Sequence, residues 1–336
     1  MATVLEEKPA LLDFSYVIDK IRAAPLRTEP FRHIWIEDLF SAEHFAQILA
    51  AREITLAPQG SDEGLFAELL GKGYRIIEFP GCITNMEAYV AWHKGEQGRP
   101  RHVHSACEGF GVTLRLMEAR SPVMQALMAF LAGADFRSAL AARFGLEAGD
   151  LVYDAGVQKY LDGYEISPHP DIRKKALTYM VNVNPAPDSE ARDHHTHYMQ
   201  LVPQRRYVQA FWDGNEALDR CWVPWDWCET QARQIANNSM VIFQPGNDTL
   251  HAVKANYNHL DYQRTQLYGN FWYPEAQTVG CPAWEDLDIL GGFAQGARGG
   301  LAGLLPQPLK QALSGLLRNA PRDSAGGVVE KRFYQK

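Results

Sequence analysis

Apolar residues fall into two textures along the chain. Up to about residue 150 they recur at helical spacing, and from about 151 they come in short runs separated by turn formers. In the first part, residues 11 to 24 and 41 to 52 predict helices. Ser41 stands before the second, and Phe45, Ile48 and Leu49 give it an apolar stripe. Between them PFRHIWIEDLF alternates like a short strand. A third helix is expected over 121 to 144, where Ser121 and Pro122 open SPVMQALMAFL.

In the second part, LVYDAGVQKYL, KALTYMVNVN, YVQAFW, NSMVIFQP and RTQLYGNFWY predict strands. SPHPD, NPAPDS, WDGNE, NN and PGND predict turns between them. Strand–helix alternation of the parallel-sheet kind is absent, so an antiparallel barrel or jelly roll is expected. Three parts of one structural domain follow from this. Residues 1–150 form helical and strand support, 151–280 the β core, and 281–336 a glycine-rich tail. The tail carries a short amphipathic segment, Leu309 to Leu317, expected to pack on the domain or on a second subunit, which leaves a homo-oligomer open. Its glycines do not follow a strand and open a helix, which excludes a dinucleotide fingerprint.

Composition narrows the function. With 46% hydrophobic and 22% charged residues, the chain reads as an ordinary globular protein. A net charge of −7 argues against nucleic acid as a partner. The five cysteines, Cys82, Cys107, Cys221, Cys228 and Cys281, include no C-x-x-C pair, which argues against a thiolate zinc site or a disulfide scaffold. No apolar run is long enough for a membrane span, and the N-terminus does not resemble a signal peptide, so a cytoplasmic location is expected.

The candidate chemistry lies in SPHPDIR. His169 and Asp171 are two residues apart, so an extended chain points both side chains the same way. Pro170 pushes His169 toward extended geometry, and the prolines place the pair at a strand start or edge. A third ligand must come from elsewhere, and His251 follows a strand and a turn in NSMVIFQPGNDTL. Two histidines and one carboxylate on one face form a facial triad, which leaves positions open on iron(II) for co-substrate and dioxygen. On the next predicted strand Arg264, Gln266, Tyr268, Asn270 and Trp272 share one face. A guanidinium there suits a dicarboxylate. Lys254 is a weaker candidate for the same task.

With these residues in place, the chain resembles the 2-oxoglutarate and iron(II)-dependent oxygenases, in particular their prolyl-hydroxylase-like branch. The carriers are GVQKYLDGYEISPHPDIRKKALTYMVNVNP, NSMVIFQPGNDTLHAVKA and YQRTQLYGNFWY, over roughly residues 156 to 273, with a weaker match in PFRHIWIEDLFSAEHFAQIL. The resemblance implies a double-stranded β-helix, a cupin-like jelly roll with helices outside, and makes 151–280 the catalytic core. It implies iron held by His169, Asp171 and His251, with 2-oxoglutarate and dioxygen as co-substrates. Arg264 would grip the distal carboxylate, with Tyr160, Tyr179 and Gln266 around the co-substrate. The implied reaction couples decarboxylation of 2-oxoglutarate to attack on a substrate C–H bond. Asp171 argues against halogenation, because halogenases of this family carry Gly or Ala there.

Other features compete. The long polar stretch between Asn184 and Tyr207 is expected to be a loop, a candidate substrate lid. In it His194, His195 and His197 form a rival metal site, and Arg205 and Arg206 could bind an anion. His102 and His104 could line the mouth of the site. Trp222, Trp225 and Trp227 could stack on a sugar or other ring. The expected function is hydroxylation of a small molecule or saccharide. The alternatives are a non-enzymatic metal-binding jelly-roll sensor and a hydroxylase of protein side chains.

Overall fold

The helix-start signals of the N-terminal part operate in the fold. In the computed structural model, which describes residues 12–78, 82–96, 106, 111–215, 218 and 221–275, helix α1 spans Tyr16–Ala23. Strands β1 (Leu26–Arg27) and β2 (His33–Ile36) follow. The Ser41 hydroxyl accepts the His44 N–H at 3.1 Å and opens α2 (Ala42–Ala50). Ser61 caps α3 (Asp62–Gly71) in the same way, 3.2 Å from the Gly64 nitrogen. Next come β3 (Tyr74–Ile76), α4 (Met86–Glu96) and β4 (Thr113–Leu116). Helices α3 and α4 add to the expected elements.

The single helix expected over 121–144 is two, α5 (Pro122–Ala132) and α6 (Ala134–Ala142). The break is at Gly133, where ψ is 145°. Buried Glu53 accepts the N–H groups of Arg120 and Ser121, each at 2.7 Å. A carboxylate thus sits at the positive end of α5.

The β-rich part supplies β5 (Val152–Tyr160), β6 (Glu165–Pro170), β7 (Lys175–Asn182) and β8 (Thr196–Leu201). After helix α7 (Tyr207–Asp213) come β9 (Cys228–Gln234), β10 (Met240–Phe243), β11 (Leu250–Lys254) and β12 (Arg264–Trp272). Two expectations need correction. The run YVQAFW is helix α7, because its inward-facing residues Val208 and Trp212 are four apart, a helical interval. Residues 196–201, expected in a loop, are strand β8. Its Thr196 and Tyr198 point one way while His197 and Met199 point the other.

The strand order defines the architecture. One antiparallel sheet runs β1-β2-β10-β7-β12-β5-β4-β3, and the second runs β6-β11-β8-β9. From β5 to β12 the chain divides eight strands equally, with β5, β7, β10 and β12 in the first sheet and β6, β8, β9 and β11 in the second. That is a jelly roll, or double-stranded β-helix. The N-terminal strands extend the first sheet on both sides of this core.

Alternation along β12 separates two interiors. Leu267 and Phe271 join Leu177, Tyr179 and Val181 of β7 in the large core under the helices, with Ile48, Leu65, Leu69, Leu127 and Leu140. Each such side chain contributes roughly 1.5–3 kcal/mol by burial. Arg264, Gln266, Tyr268 and Asn270 face the other way, across the sandwich. Part of that space is filled by Phe31, Tyr198, Val241 and Phe243, and another part by Tyr160, Tyr164, Ile166 and Val253. The remainder holds polar side chains.

Candidate metal centre and anion clamp

The proline-flanked histidine lies where its sequence predicts, on an edge strand. β6 borders the second sheet and, among the described strands, pairs with β11 alone, and His169 stands directly opposite His251. The outer side of β6 is covered by the following chain, since the Val223 N–H donates to the Pro168 carbonyl at 3.0 Å. The two imidazole centroids are 4.3 Å apart.

Hydrogen bonds settle where the imidazole protons are. His169 Nδ1 is 2.9 Å from the Ser167 carbonyl oxygen, and His251 Nδ1 is 3.1 Å from the Thr249 carbonyl oxygen. A carbonyl oxygen only accepts, so each Nδ1 carries the proton and each Nε2 presents a lone pair. Those Nε2 atoms lie 3.7 and 3.8 Å from Asp171 Oδ1, beyond hydrogen-bond range. Two lone pairs and a carboxylate oxygen thus converge with no proton between them. This donor set fits a divalent cation, and orientation of a ligating imidazole through its other nitrogen is the usual supporting device.

Protonation states agree. Burial pushes the His251 imidazole down to about 3, so it stays neutral. Burial works against the Asp171 carboxylate, but the adjacent Lys175 ammonium outweighs it and holds Asp171 well below the usual range. Lys175 Nζ is 2.9 Å from Oδ1, and the Thr178 hydroxyl donates to Oδ2 at 2.8 Å.

Arg264 opens β12 inside the sandwich and is 2% exposed. Its Nη2 donates to the Thr196 hydroxyl at 2.9 Å, and its guanidinium lies 4.4 Å over the Tyr160 ring. Among the described residues it has no carboxylate partner. A buried cation without an anion costs on the order of several kcal/mol. Two more buried groups lack partners among the described residues. There both ring nitrogens of His194 and the Gln266 Oε1 make no hydrogen bond, although Gln266 Nε2 donates to Asn182 at 2.8 Å. Burial, with the Arg264 charge nearby, pushes His194 down to about 2, which leaves its ring neutral. Thr196 pairs with Val253, two residues along β11 from His251. The clamp is therefore about 7 Å along the strand from the metal ligands, a span suited to a short dicarboxylate.

The structure thus gathers His169, Asp171 and His251 at one point, and Arg264, Tyr160 and Gln266 on the facing sheet. Tyr179 is not with them. It alternates to the opposite face of β7, where its hydroxyl meets the Tyr153 hydroxyl at 2.8 Å within the helix-covered core. Lys254 is on the outer face and pairs with Glu165 at 3.5 Å.

The rival histidines do not form a metal cluster. His197 Nδ1 is 2.9 Å from the Thr230 hydroxyl on the outer side of β8, and His195 Nε2 is 3.2 Å from the Glu190 carbonyl. Arg205 lies 4.6 Å over the Trp227 ring, and Trp225 donates to Glu165 at 2.8 Å. His102, His104, Cys107, Cys281 and the whole 281–336 tail lie outside the described residues. Sequence reasoning missed Lys175, Thr178 and Thr196. For Thr178 and Thr196 the signal is strand alternation, which puts them on the same side as Asn182 and Tyr198.

By sequence, the chain matches no family model and no curated protein. Solved structures resemble it over most of its length. A prolyl-4-hydroxylase from Pseudomonas putida is 11% identical, with 77% of this chain and 98% of that chain covered and a TM-score of 0.37. A Trichoplax adhaerens prolyl hydroxylase, solved with a hypoxia inducible factor peptide fragment, is 10% identical, with coverages of 80% and 93% and a TM-score of 0.38. The epimerase SnoN, solved with Fe3+ and alpha ketoglutarate, is 13% identical, with coverages of 77% and 83% and a TM-score of 0.36. At such low identity and TM-score, assignment rests on the side chains of this chain.

Proposed function

We propose that the protein is an iron(II)- and 2-oxoglutarate-dependent oxygenase that hydroxylates a C–H bond of a small molecule or saccharide. His169, Asp171 and His251 would hold the iron. Arg264 and Thr196 would hold the distal carboxylate of 2-oxoglutarate, with the Tyr160 ring keeping the guanidinium in place. The observation that carries the reading is the buried Arg264, without a carboxylate partner among the described residues, near a triad whose facing ligand atoms carry no proton. A plain metal-binding jelly roll needs the triad and gains nothing from an unpaired buried cation.

Iron with 2-oxoglutarate and dioxygen supplies an oxidant for C–H bonds, and the co-substrate leaves as succinate and carbon dioxide. The chain's own residues bind and orient. Neutral His251 is ready to ligate without losing a proton. Thr178 fixes the Asp171 carboxylate through Oδ2. The half-buried Tyr268, Trp272, Asp154 and Arg115 give the rest of this face aromatic and polar character. Trp272 donates to Asp154 at 2.6 Å, and Arg115 lies 4.4 Å over the Tyr268 ring. Such a wall suits a polar ring-bearing substrate.

The test is anaerobic titration of the protein with iron(II) and then 2-oxoglutarate, following the visible charge-transfer band of the chelate. The band should form in wild type and be lost in His251→Ala and Arg264→Ala. A wild type with no band overturns the reading. Succinate release over a panel of saccharides, amino acids and ring-bearing natural products then identifies the substrate class.

A further inference from the structure

A second group of histidines and carboxylates lies outside the triad. Asp62 at the start of α3, His93 on α4 and His259 in the segment before β12 are all buried, with ligand atoms close enough to hold a metal. Asp162, in the turn after β5, touches two of them. Proton placement separates this group from the triad. The Asp162 N–H donates to His259 Nδ1 at 3.2 Å, so the His259 proton is on Nε2, which donates to Asp62 Oδ1 at 2.8 Å. His93 stands between two carboxylates, with Nδ1 2.8 Å from Asp62 Oδ2 and Nε2 3.3 Å from Asp162 Oδ2. Carboxylates only accept, so His93 donates from both nitrogens and is an imidazolium. No imidazole lone pair remains for an ion.

This proton-held network is tied to the anion clamp. Asp162 Oδ1 accepts the Tyr257 N–H at 3.1 Å. The Tyr257 hydroxyl accepts the Arg264 N–H at 2.7 Å and donates to the Tyr160 carbonyl. Gln263 Nε2 donates to the His259 carbonyl at 2.8 Å, which secures the residue before Arg264. One buried cluster therefore fixes Tyr160, the segment from Tyr257 to Gln263, and the start of β12.

We propose that the His93 proton, through Asp162 and Tyr257, positions Arg264, and that losing it weakens the site's hold on a dicarboxylate. This rests on the reading of Arg264 as the anchor of 2-oxoglutarate. Among the described residues, the groups facing His93 are Asp62 from α3, Asp162 from the turn after β5 and His259 from the segment before β12. On its own helix, Tyr89 stacks at 5.6 Å. Burial alone would lower the His93 value, but the hydrogen bonds to Asp162 and Asp62 outweigh it and raise it. The proton that the two carboxylates hold leaves as pH rises through that raised value. His93 then has one N–H for its two carboxylates, while His259 still donates to Asp62 and the Tyr257 N–H to Asp162. His93, Asp162 and Tyr257 are positioning residues and are not among the iron ligands.

The experiment titrates the anaerobic iron(II) protein with 2-oxoglutarate across pH 6 to 9 and measures iron(II) affinity separately. In wild type the 2-oxoglutarate Kd should rise about tenfold toward alkaline pH, the scale of one lost charged hydrogen bond. His93→Gln should bind about tenfold more weakly at pH 6.5, with a flat pH profile and unchanged iron affinity. Tyr257→Phe leaves the network intact and cuts its link to Arg264. It should show the same weakening even if His93→Gln fails to fold. If Tyr257→Phe binds 2-oxoglutarate like wild type, or a folded His93→Gln keeps wild-type affinity and pH profile, the inference is overturned while the assigned function stands. A wild type that forms no chelate overturns both.

Discussion

His169 and His251 face each other across paired strands, and each gives its Nδ1 proton to the carbonyl two residues earlier in its own chain. The same local geometry, repeated on β6 and β11, turns both Nε2 lone pairs onto Asp171 Oδ1. The edge strand and its partner thus act as one rigid holder. Replacing either histidine by Ala should lower iron(II) affinity by at least about 100-fold, because one of three protein ligands is lost from a pre-oriented set. Asp171→Asn should do the same while keeping the side-chain shape, since the buried charge that balances the ion is gone. Anaerobic equilibrium dialysis with iron quantification checks all three. Retention of wild-type affinity in Asp171→Asn would remove Asp171 from the ligand set.

Tyr179 separates face from sequence position. Strand alternation alone places it opposite Thr178, and its ring lies against the bare backbone of Gly269 on β12. A Cβ at Gly269 would land within that ring. Gly269→Ala should therefore destabilise the fold by roughly 3 kcal/mol through overpacking. Tyr179→Phe should cost about 1 kcal/mol by removing the hydroxyl contact with Tyr153. Neither the residual iron affinity nor the 2-oxoglutarate Kd of folded Tyr179→Phe should change. Urea denaturation and chelate titration measure the two quantities, and a large Kd change would return Tyr179 to the co-substrate site.

The pair His169 and Asp171 was legible because its causes are local, whereas His251 rested on Arg264 one strand later and on the family resemblance. Two prolines constrain one backbone, and alternation carries Asp171 to the side of His169 and Arg264 to the side of Gln266. The strands of β5, β7, β10 and β12 were legible because their apolar residues pack on a buried face. What stayed hidden depends on partners. Strand β8 reads as a polar loop because its outward residues include His197 and its inward ones include Thr196, whose partner Arg264 is far away in sequence. Helix α7 reads as a strand because a short aromatic run has no decisive period. The proton-held network joins four separate elements, and no spacing along the chain announces it.

Acid should destabilise the metal-free protein through its neutral buried histidines. His194 and His251 are pushed down to about 2 and about 3 in the fold, both by burial first. In the unfolded chain their values return to about 6.5. The sign follows: the unfolded state binds more protons, so the contribution is present above about pH 6.5 and lost as pH falls below it. Between pH 6.5 and 5.5 each should remove roughly 1 kcal/mol. His93 acts in the opposite sense, with its contribution full below about 6.5 and fading as pH rises through its raised folded value. Urea unfolding at a series of pH values measures the slope. His194→Leu should flatten the acid limb by about one proton, and an unchanged slope would show that His194 is protonated in the fold.

Lys175 shares an oxygen with the metal site. Its Nζ is 2.9 Å from Asp171 Oδ1, the same atom that faces both imidazoles, and it lies 5.5 Å over the Trp272 ring. Without a metal, the ammonium balances a carboxylate that is 8% exposed. With a divalent ion on that oxygen, two cations would sit within a few ångströms and repel each other. Lys175→Met should therefore have opposite effects on the two states. Metal-free stability should fall by roughly 3 kcal/mol, because a buried charge pair is broken and Asp171 is left alone. Iron(II) affinity should rise by about tenfold or more, because the ion no longer competes with the ammonium. Urea unfolding with and without iron, beside direct metal titration, reads both. Weaker iron binding in Lys175→Met would show instead that Lys175 orients the Asp171 carboxylate for the ion, as Thr178 does through the other oxygen.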